Sequence, residues 1–275
     1  MFEQKVIGPA YSTRFKPNCD LDRDFDTTQL KYNSFKHQAH KDYLGHVFRW
    51  GFASRFVKQS TKVLDVGCGQ ELPFMMSLGG ANANTVPAQY VGVDLNTKIT
   101  TVRRKWSKVY PGFNFIERHE EILEKHGQFD LIVNFEVYEH INPELAPALL
   151  CAMRKLLKPG GKLIFSTPVY CSSFKMARNH INERTKAEQE SDLHQAGFKI
   201  IKQYGVFGNV RDFKLASSSF HENEYDELRE FYGDDLLGCY LAPKYPEASR
   251  NICHVCVTDD TPDVVECELK PSILV

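Results

Sequence analysis

The chain has 275 residues, of which 42% are hydrophobic and 25% charged, which excludes a disordered, collagen-like or coiled-coil protein. Its 34 Lys+Arg against 35 Asp+Glu give a net charge of −1, so nothing global draws it to nucleic acid or lipid. No apolar run approaches the roughly 18 residues of a membrane span. The first twelve residues lack the apolar core of a secretory signal, and the 8 cysteines are too scattered for a disulfide scaffold, so a reduced, cytoplasmic setting is expected.

Residues 1–60 read as an arm followed by a helical lid. Met1–Thr28 is polar, with an acidic cluster and no sustained period. From Gln29 to Lys58 apolar residues recur at helical spacing. Leu44, Val47, Phe48 and Phe52 fit one stripe, with Asp42, His46 and Arg49 on the other side. Residues 61–259 then alternate strands and helices as one domain, and 260–275 form a loose acidic tail.

Lys62–Val66 reads as a buried strand ending in a glycine turn, and Pro73–Leu78 as a short helix closed by Gly79 and Gly80. Tyr90–Leu95 is a second strand, and Thr97–Val109 a basic helix. Phe113–Glu117 and Phe129–Phe135 follow as strands. Glu144–Lys158 is an amphipathic helix with Leu145, Leu149, Met153 and Leu156 on one face, ended by Pro159-Gly160-Gly161. Lys162–Thr167 is a strand, Thr185–Ala196 a helix stopped by Gly197, and Phe198–Val206 a strand. His221–Asp235 reads as an acidic helix and Asn251–Thr258 as the seventh strand. The alternation predicts a doubly wound α/β fold with a mostly parallel seven-stranded sheet and an N-terminal helical extension.

The strongest local feature is the turn after the first strand. Asp65 precedes Gly67-Cys68-Gly69, and a second acid, Asp94, ends the next strand. In such sheets a ligand lies beyond the carboxyl ends of the strands. A dinucleotide site wants a third glycine, but Gln70-Glu71-Leu72 follow here. An acid where a pyrophosphate would come favours a phosphate-free, cationic nucleoside such as S-adenosylmethionine over NAD.

Taken together, the runs Val63–Gly69, Val91–Leu95, Phe129–Ile141, Leu156–Pro168 and His180–Phe198 resemble class I S-adenosylmethionine-dependent methyltransferases. The likeness is to the broad group with Glu-x-x-Glu-His after the fourth strand. It implies the Rossmann-like fold and S-adenosyl-L-methionine as cofactor. Asp65, Gly67, Cys68 and Gly69 would line the methionine end, and Asp94 the ribose. Leu95 would flank the adenine, with Asn134 and Phe135 near the transferable methyl. The group's usual Asp after the third strand has no counterpart in Glu117-Arg118-His119-Glu120, which leaves the adenine contact unassigned, with Glu120 a weak candidate.

Glu136, Glu139 and His140 are the candidate catalytic residues, placed on one side if they form a helical turn. His140 or Glu139 would act as a base on an acceptor that must lose a proton. His180 raises an alternative, a divalent metal held with Glu136, Glu139 and His140. That set resembles the small-RNA 3′-terminal 2′-O-methyltransferases, matched only partly by His180–Thr185. The first expectation is a small-molecule or nucleotide-like acceptor without metal. A metal-dependent RNA enzyme comes second, and a non-catalytic cofactor-binding protein third.

The basic stretch Lys98–Lys108 with Trp106 reads as an outer helix with a solvated face, as does the charge of Lys36, His37, His40, Lys41, Arg49 and Arg55. Tyr11 or Tyr32 could belong to the lid. Cys253 and Cys256 lie three apart in a strand and point to opposite faces, which disfavours a metal pair.

Overall fold

The computed structural model describes residues 41–78, 86–99, 104–172, 176–216 and 222–260. Seven strands form one sheet: β1 Lys62–Val66, β2 Gln89–Asp94, β3 Ser107–Pro111, β4 Phe129–Phe135, β5 Leu157–Pro168, β6 Phe198–Phe207 and β7 Asn251–Thr258. Their order is β3-β2-β1-β4-β5-β7-β6. β7 runs antiparallel to β5 and β6, and the pairs from β3 through β5 are parallel. The doubly wound sheet and its closing C-terminal strand pair are as the alternation predicts.

The helices are α1 Lys41–Ser54, α2 Pro73–Ser77, α3 Phe115–His126, α4 Ala146–Leu156, α5 Lys186–Gln195, α6 Val210–Ala216 and α7 Glu222–Leu241, the last kinked at Gly233. Side-chain parity along the strands builds a core on each face of the sheet. Leu64, Val66, Val91, Val93, Ile132, Leu163 and Phe165 pack with α3, α4 and α5 residues. Val63, Tyr90, Leu131, Val133 and Ile164 pack with α1 and α2 residues. Cys253 joins the second core and Cys256 the first, as their spacing requires. His254 between them is locked, with Gln189 on one ring nitrogen and Gln203 on the other.

Three expected elements are corrected. The basic stretch is not a helix where it is described: Asn96–Ile99 is irregular, residues 104–106 form a turn, and Ser107–Pro111 is the edge strand β3. An edge strand with one open side tolerates Lys108, so charge misled the reading there. Trp106 packs edge-on against Tyr90, at 6.3 Å between ring centroids. Phe113–Glu117 is not a strand: Phe113 is in a loop, Asn114 caps α3, and Phe115 and Ile122 are its buried residues at helical spacing. Pro159-Gly160-Gly161 does not end α4, which stops at Leu156. These residues lie in an irregular stretch of β5, where pairing with β4 shifts between Phe129 and Leu131.

The fourth correction is the rotation of α1. His46, Arg49 and Ala53 face inward, while Val47 and Phe48 are 36% and 43% exposed. A tight approach to β6 causes this: a Cβ on Gly45 would lie 3.1 Å from the side chains of Val206 and Phe207. Only a helix face of small residues fits there, and the polar pair is carried in with it. The arm with Tyr11 and Tyr32, the cations Lys36, His37 and His40, the glycine pair at 79–80 and the tail from 261 lie outside the described residues.

At the start of α5, Thr185 accepts from the Glu188 N–H while the Glu188 carboxylate accepts from the Thr185 N–H, a reciprocal cap. Thr185→Ala is expected to cost about 1 kcal/mol of stability, read as a lower urea midpoint with unchanged slope.

Candidate active site

The site lies at the carboxyl ends of β1, β2 and β4, where the strand order reverses. Beyond Val66 the chain turns through two left-handed glycines, Gly67 at φ 78° and Gly69 at φ 72°. The N–H groups of Gly67 and Cys68 donate to the Val93 carbonyl, at 2.8 and 3.1 Å. The Gly69 N–H donates to Asp94 Oδ2 and the Asn96 N–H to Asp94 Oδ1, each at 2.8 Å. Asp94 therefore ties the glycine turn to the end of β2 and keeps further lone pairs for a ligand.

Beside this turn is a cleft of about 490 Å³, a size usual for small-molecule sites. Gly67, Gly69, Asp94 and Leu95 line it, with Phe135, Glu136 and His140 across from them. Phe113, Asn114, Phe115 and Ile116 close one end. Asn114 caps α3 without a side-chain capping bond, so its amide is a polar group at an apolar end of the cleft. The sequence reading missed it by placing a strand there. Glu120 is not in the lining; it is half-exposed on α3 and ion-paired with Lys155.

Asp65 and Cys68 are buried and line a smaller cavity with His46, Trp50, Gly67, Gly69, Pro73, Phe74 and Phe135. Tyr90 Oη donates to Asp65 Oδ2 at 2.7 Å. Burial pushes the Asp65 carboxyl up to about 7, and the Asp94 charge adds to this against the Tyr90 bond. Asn134 is fully buried outside the cleft, where its Nδ2 donates to the Val66 carbonyl at 2.9 Å. It braces β4 against the start of the glycine turn.

The chain leaves β4 through Glu136, a non-glycine residue at φ 55°, a conformation that costs roughly 1–2 kcal/mol. Its N–H donates to the Ser166 carbonyl at 3.0 Å. Its carboxylate accepts from Ser166 Oγ at 2.9 Å and Asn251 Nδ2 at 2.6 Å, and Arg49 Nη1 lies 3.2 Å away. A 3₁₀ turn over Tyr138–His140 follows. Glu139 is buried and accepts from Thr167 Oγ1 at 2.9 Å. Burial, with the Glu136 charge adding, pushes its carboxyl up to about 8.

His140 Nδ1 donates to the Asn179 carbonyl at 3.1 Å, which leaves Nε2 3.9 Å from Glu139 Oε1. His180 stands edge-on to His140, with ring centroids 5.0 Å apart, and bonds Glu183 through Nδ1. Burial works against a charged His180, but Glu183, Glu139 and Glu136 outweigh it and hold its pKa above the usual value. Glu139, His140 and His180 each bring a ligand atom within 4.8 Å of the others. Glu136, expected with them, is turned instead toward Arg49, Ser166 and Asn251.

A family profile described as Methyltransferase domain matches residues 35–203. A curated ubiquinone biosynthesis O-methyltransferase of Xanthomonas campestris pv. campestris is 35% identical over 118 residues, 42% of this chain and 46% of that protein. One of the same name from Erwinia tasmaniensis is 35% identical over 112 residues, 38% and 42% of the two chains. The chain thus spans under half the length of these curated relatives. A SAM dependent methyltransferase from Archaeoglobus fulgidus superposes with a TM-score of 0.54 at 18% identity, over 85% of this chain and 100% of that one. The cyclase SpnF gives 0.50 at 15% identity, over 77% and 80%. At these identities the structural likeness establishes the fold.

The two glycines of the turn are not equivalent. A Cβ on Gly67 would fall 2.2 Å from Val137 Cγ2, whereas on Gly69 the nearest atom is Pro73 Cδ at 3.6 Å. Gly69→Ala is expected to cost about 1 kcal/mol from its left-handed backbone. Gly67→Ala should add to that an overpacking cost of about 1–3 kcal/mol. Chemical denaturation of the two variants side by side measures the difference.

Proposed function

We propose a function on one premise: the chain belongs to the methyltransferase-domain family. It is an S-adenosylmethionine-dependent methyltransferase acting on a hydroxyl of a small-molecule or nucleotide-like acceptor. The observation that carries this reading is the joining of a phosphate-averse glycine turn to a histidine on one cleft. Gly67 and Gly69 offer backbone to the cleft, and Asp65 offers a buried acid to an ammonium group. Asp94 suits vicinal ribose hydroxyls. Leu95, Phe113, Phe115 and Ile116 form an apolar slot for a flat base, with the Asn114 amide at its polar edge. The acceptor class draws support from the ubiquinone O-methyltransferase relatives.

When bound, the cofactor supplies a methyl group on a sulfonium, with a neutral thioether as leaving group. The protein holds the acceptor oxygen in line, which accounts for much of such a reaction. With an acceptor hydroxyl in the cleft, His140 would take its proton at Nε2. The Asn179 carbonyl on Nδ1 selects the tautomer that leaves Nε2 as the base. Glu139 Oε1 lies 3.9 Å from the same nitrogen, and its carboxylate form would stabilise the imidazolium. His140→Ala is expected to lower turnover about 10²–10⁴-fold while affinity for S-adenosylhomocysteine, read by titration calorimetry, stays put. Wild-type turnover in that variant would remove His140 from the chemistry.

A second reading has its own observation. Both imidazoles of the Glu139–His140–His180 group engage Nδ1 with an oxygen, Asn179 for one and Glu183 for the other. Metal-ligating histidines are oriented in this way. A divalent ion there would polarise an acceptor hydroxyl, and the acceptor would be the terminal ribose of an RNA. Methyl transfer with and without EDTA separates the readings. The first expects full activity in EDTA; loss restored by Mg²⁺ or Mn²⁺ would give the second.

Asp65 adds a pH signature. Its folded pKa is raised from 3.8 to about 7, so the folded protein holds a proton that the unfolded chain releases near pH 4. Its contribution to stability is complete below pH 4 and lost as pH rises through 7. Binding of an ammonium group favours the carboxylate, so affinity for S-adenosylhomocysteine should rise several-fold between about pH 6 and 8. Asp65→Asn is expected to bind more weakly with a flat profile, measured by calorimetry across that range.

A further inference from the structure

Arg49 has no place in the cofactor cleft, yet its side chain is 2% exposed. A guanidinium cannot shed its charge, so such burial requires a partner. His46 Nδ1 takes one Nη2 hydrogen at 2.5 Å. Burial, and then the Arg49 charge, hold the His46 pKa well below its usual value, so His46 is a neutral acceptor. The only carboxylate paired with Arg49 among the described residues is Glu136, at 3.2 Å.

Glu136 is where the chain takes its left-handed step from β4 to the turn that carries Glu139 and His140. Three elements remote in sequence hold its carboxylate: α1 through Arg49, β5 through Ser166 and β7 through Asn251. The latter two are neutral, so among the described residues Arg49 is the one cation in an ion pair with Glu136. We propose that Arg49 is a positioning residue, clamping Glu136 so that the left-handed turn beyond β4 presents His140 to the cleft. α1, outside the sheet, is thereby a working part of the active site. The kinetic part of this inference rests on the methyltransferase reading; the geometric part does not.

The test uses the full chain with ring-labelled histidine. In Arg49→Met the ring signals of His140 and His180 are expected to shift or broaden, and in Arg49→Lys to stay near those of the wild type. Turnover per S-adenosylhomocysteine-binding site should fall by at least about tenfold in Arg49→Met, with the affinity of the remaining sites within about threefold. Arg49→Lys should keep most of it. If Arg49 acts through Glu136, adding Arg49→Met to Glu136→Gln should change turnover by less than about threefold. That comparison also decides the matter should Arg49→Met alone fail to fold. Unchanged His140 signals in Arg49→Met would overturn the proposal whether or not the protein transfers methyl groups. So would a turnover loss that merely follows the loss of binding sites, as a purely structural role predicts, or an added tenfold loss in the double variant. A wild type that binds S-adenosylhomocysteine but transfers nothing would reject the proposed function and leave the histidine signals to judge the clamp.

Discussion

The carboxylate of Glu136 is the point on which the active-site side of this molecule depends. One ionised group, 12% exposed, joins β4 to α1, β5 and β7, while its own backbone sits in a conformation that L-residues avoid. Isolated, each part would be unfavourable: a left-handed non-glycine residue, a buried carboxylate, a buried guanidinium. Together they offset one another: Ser166 and Asn251 donate to the carboxylate, and Arg49 pairs with its charge at 3.2 Å. Strain of this kind persists where surrounding structure over-determines it.

The same logic shapes the charge of the cleft. Asp65, Asp94, Glu136 and Glu139 all lie at the strand ends, and each is managed differently. Asp94 is spent on the backbone of the glycine turn. Glu136 is offset by Arg49. Asp65 and Glu139 have no cation of their own in hydrogen-bond contact, and burial drives both carboxyls toward neutrality.

The fold by itself decides less. Of two structural relatives that share the fold, one is a SAM dependent methyltransferase and the other a cyclase. Function resides in what the strand ends hold. Here that is a glycine turn tied to Asp94, an apolar slot ending at Asn114, and a histidine whose tautomer is set by the Asn179 carbonyl.

The sequence by itself determined six of the seven strands and the glycine turn. Short, largely apolar runs such as Val63–Val66 and Phe129–Phe135 read as buried strands, and Gly67 and Gly69 next to one acid, with another ending the next strand, leave little choice of backbone. The capped helix from Lys186 to Gln195 was equally legible, since its stop and start signals are local. Local pattern failed where a partner outweighed it. Lys108 belongs to a strand because an edge strand leaves one side in water, and Phe115 begins a helix because it and Ile122 bury on one helical face. The face of α1 was set by Gly45, which lets the helix lie close on Val206 and Phe207 and carries Arg49 inward. No periodicity could show that Arg49 is buried, because what makes its burial tolerable is a carboxylate 87 residues further along the chain. The tertiary structure alone decided that pairing, for an ion pair has no signature in either of the segments that contribute to it.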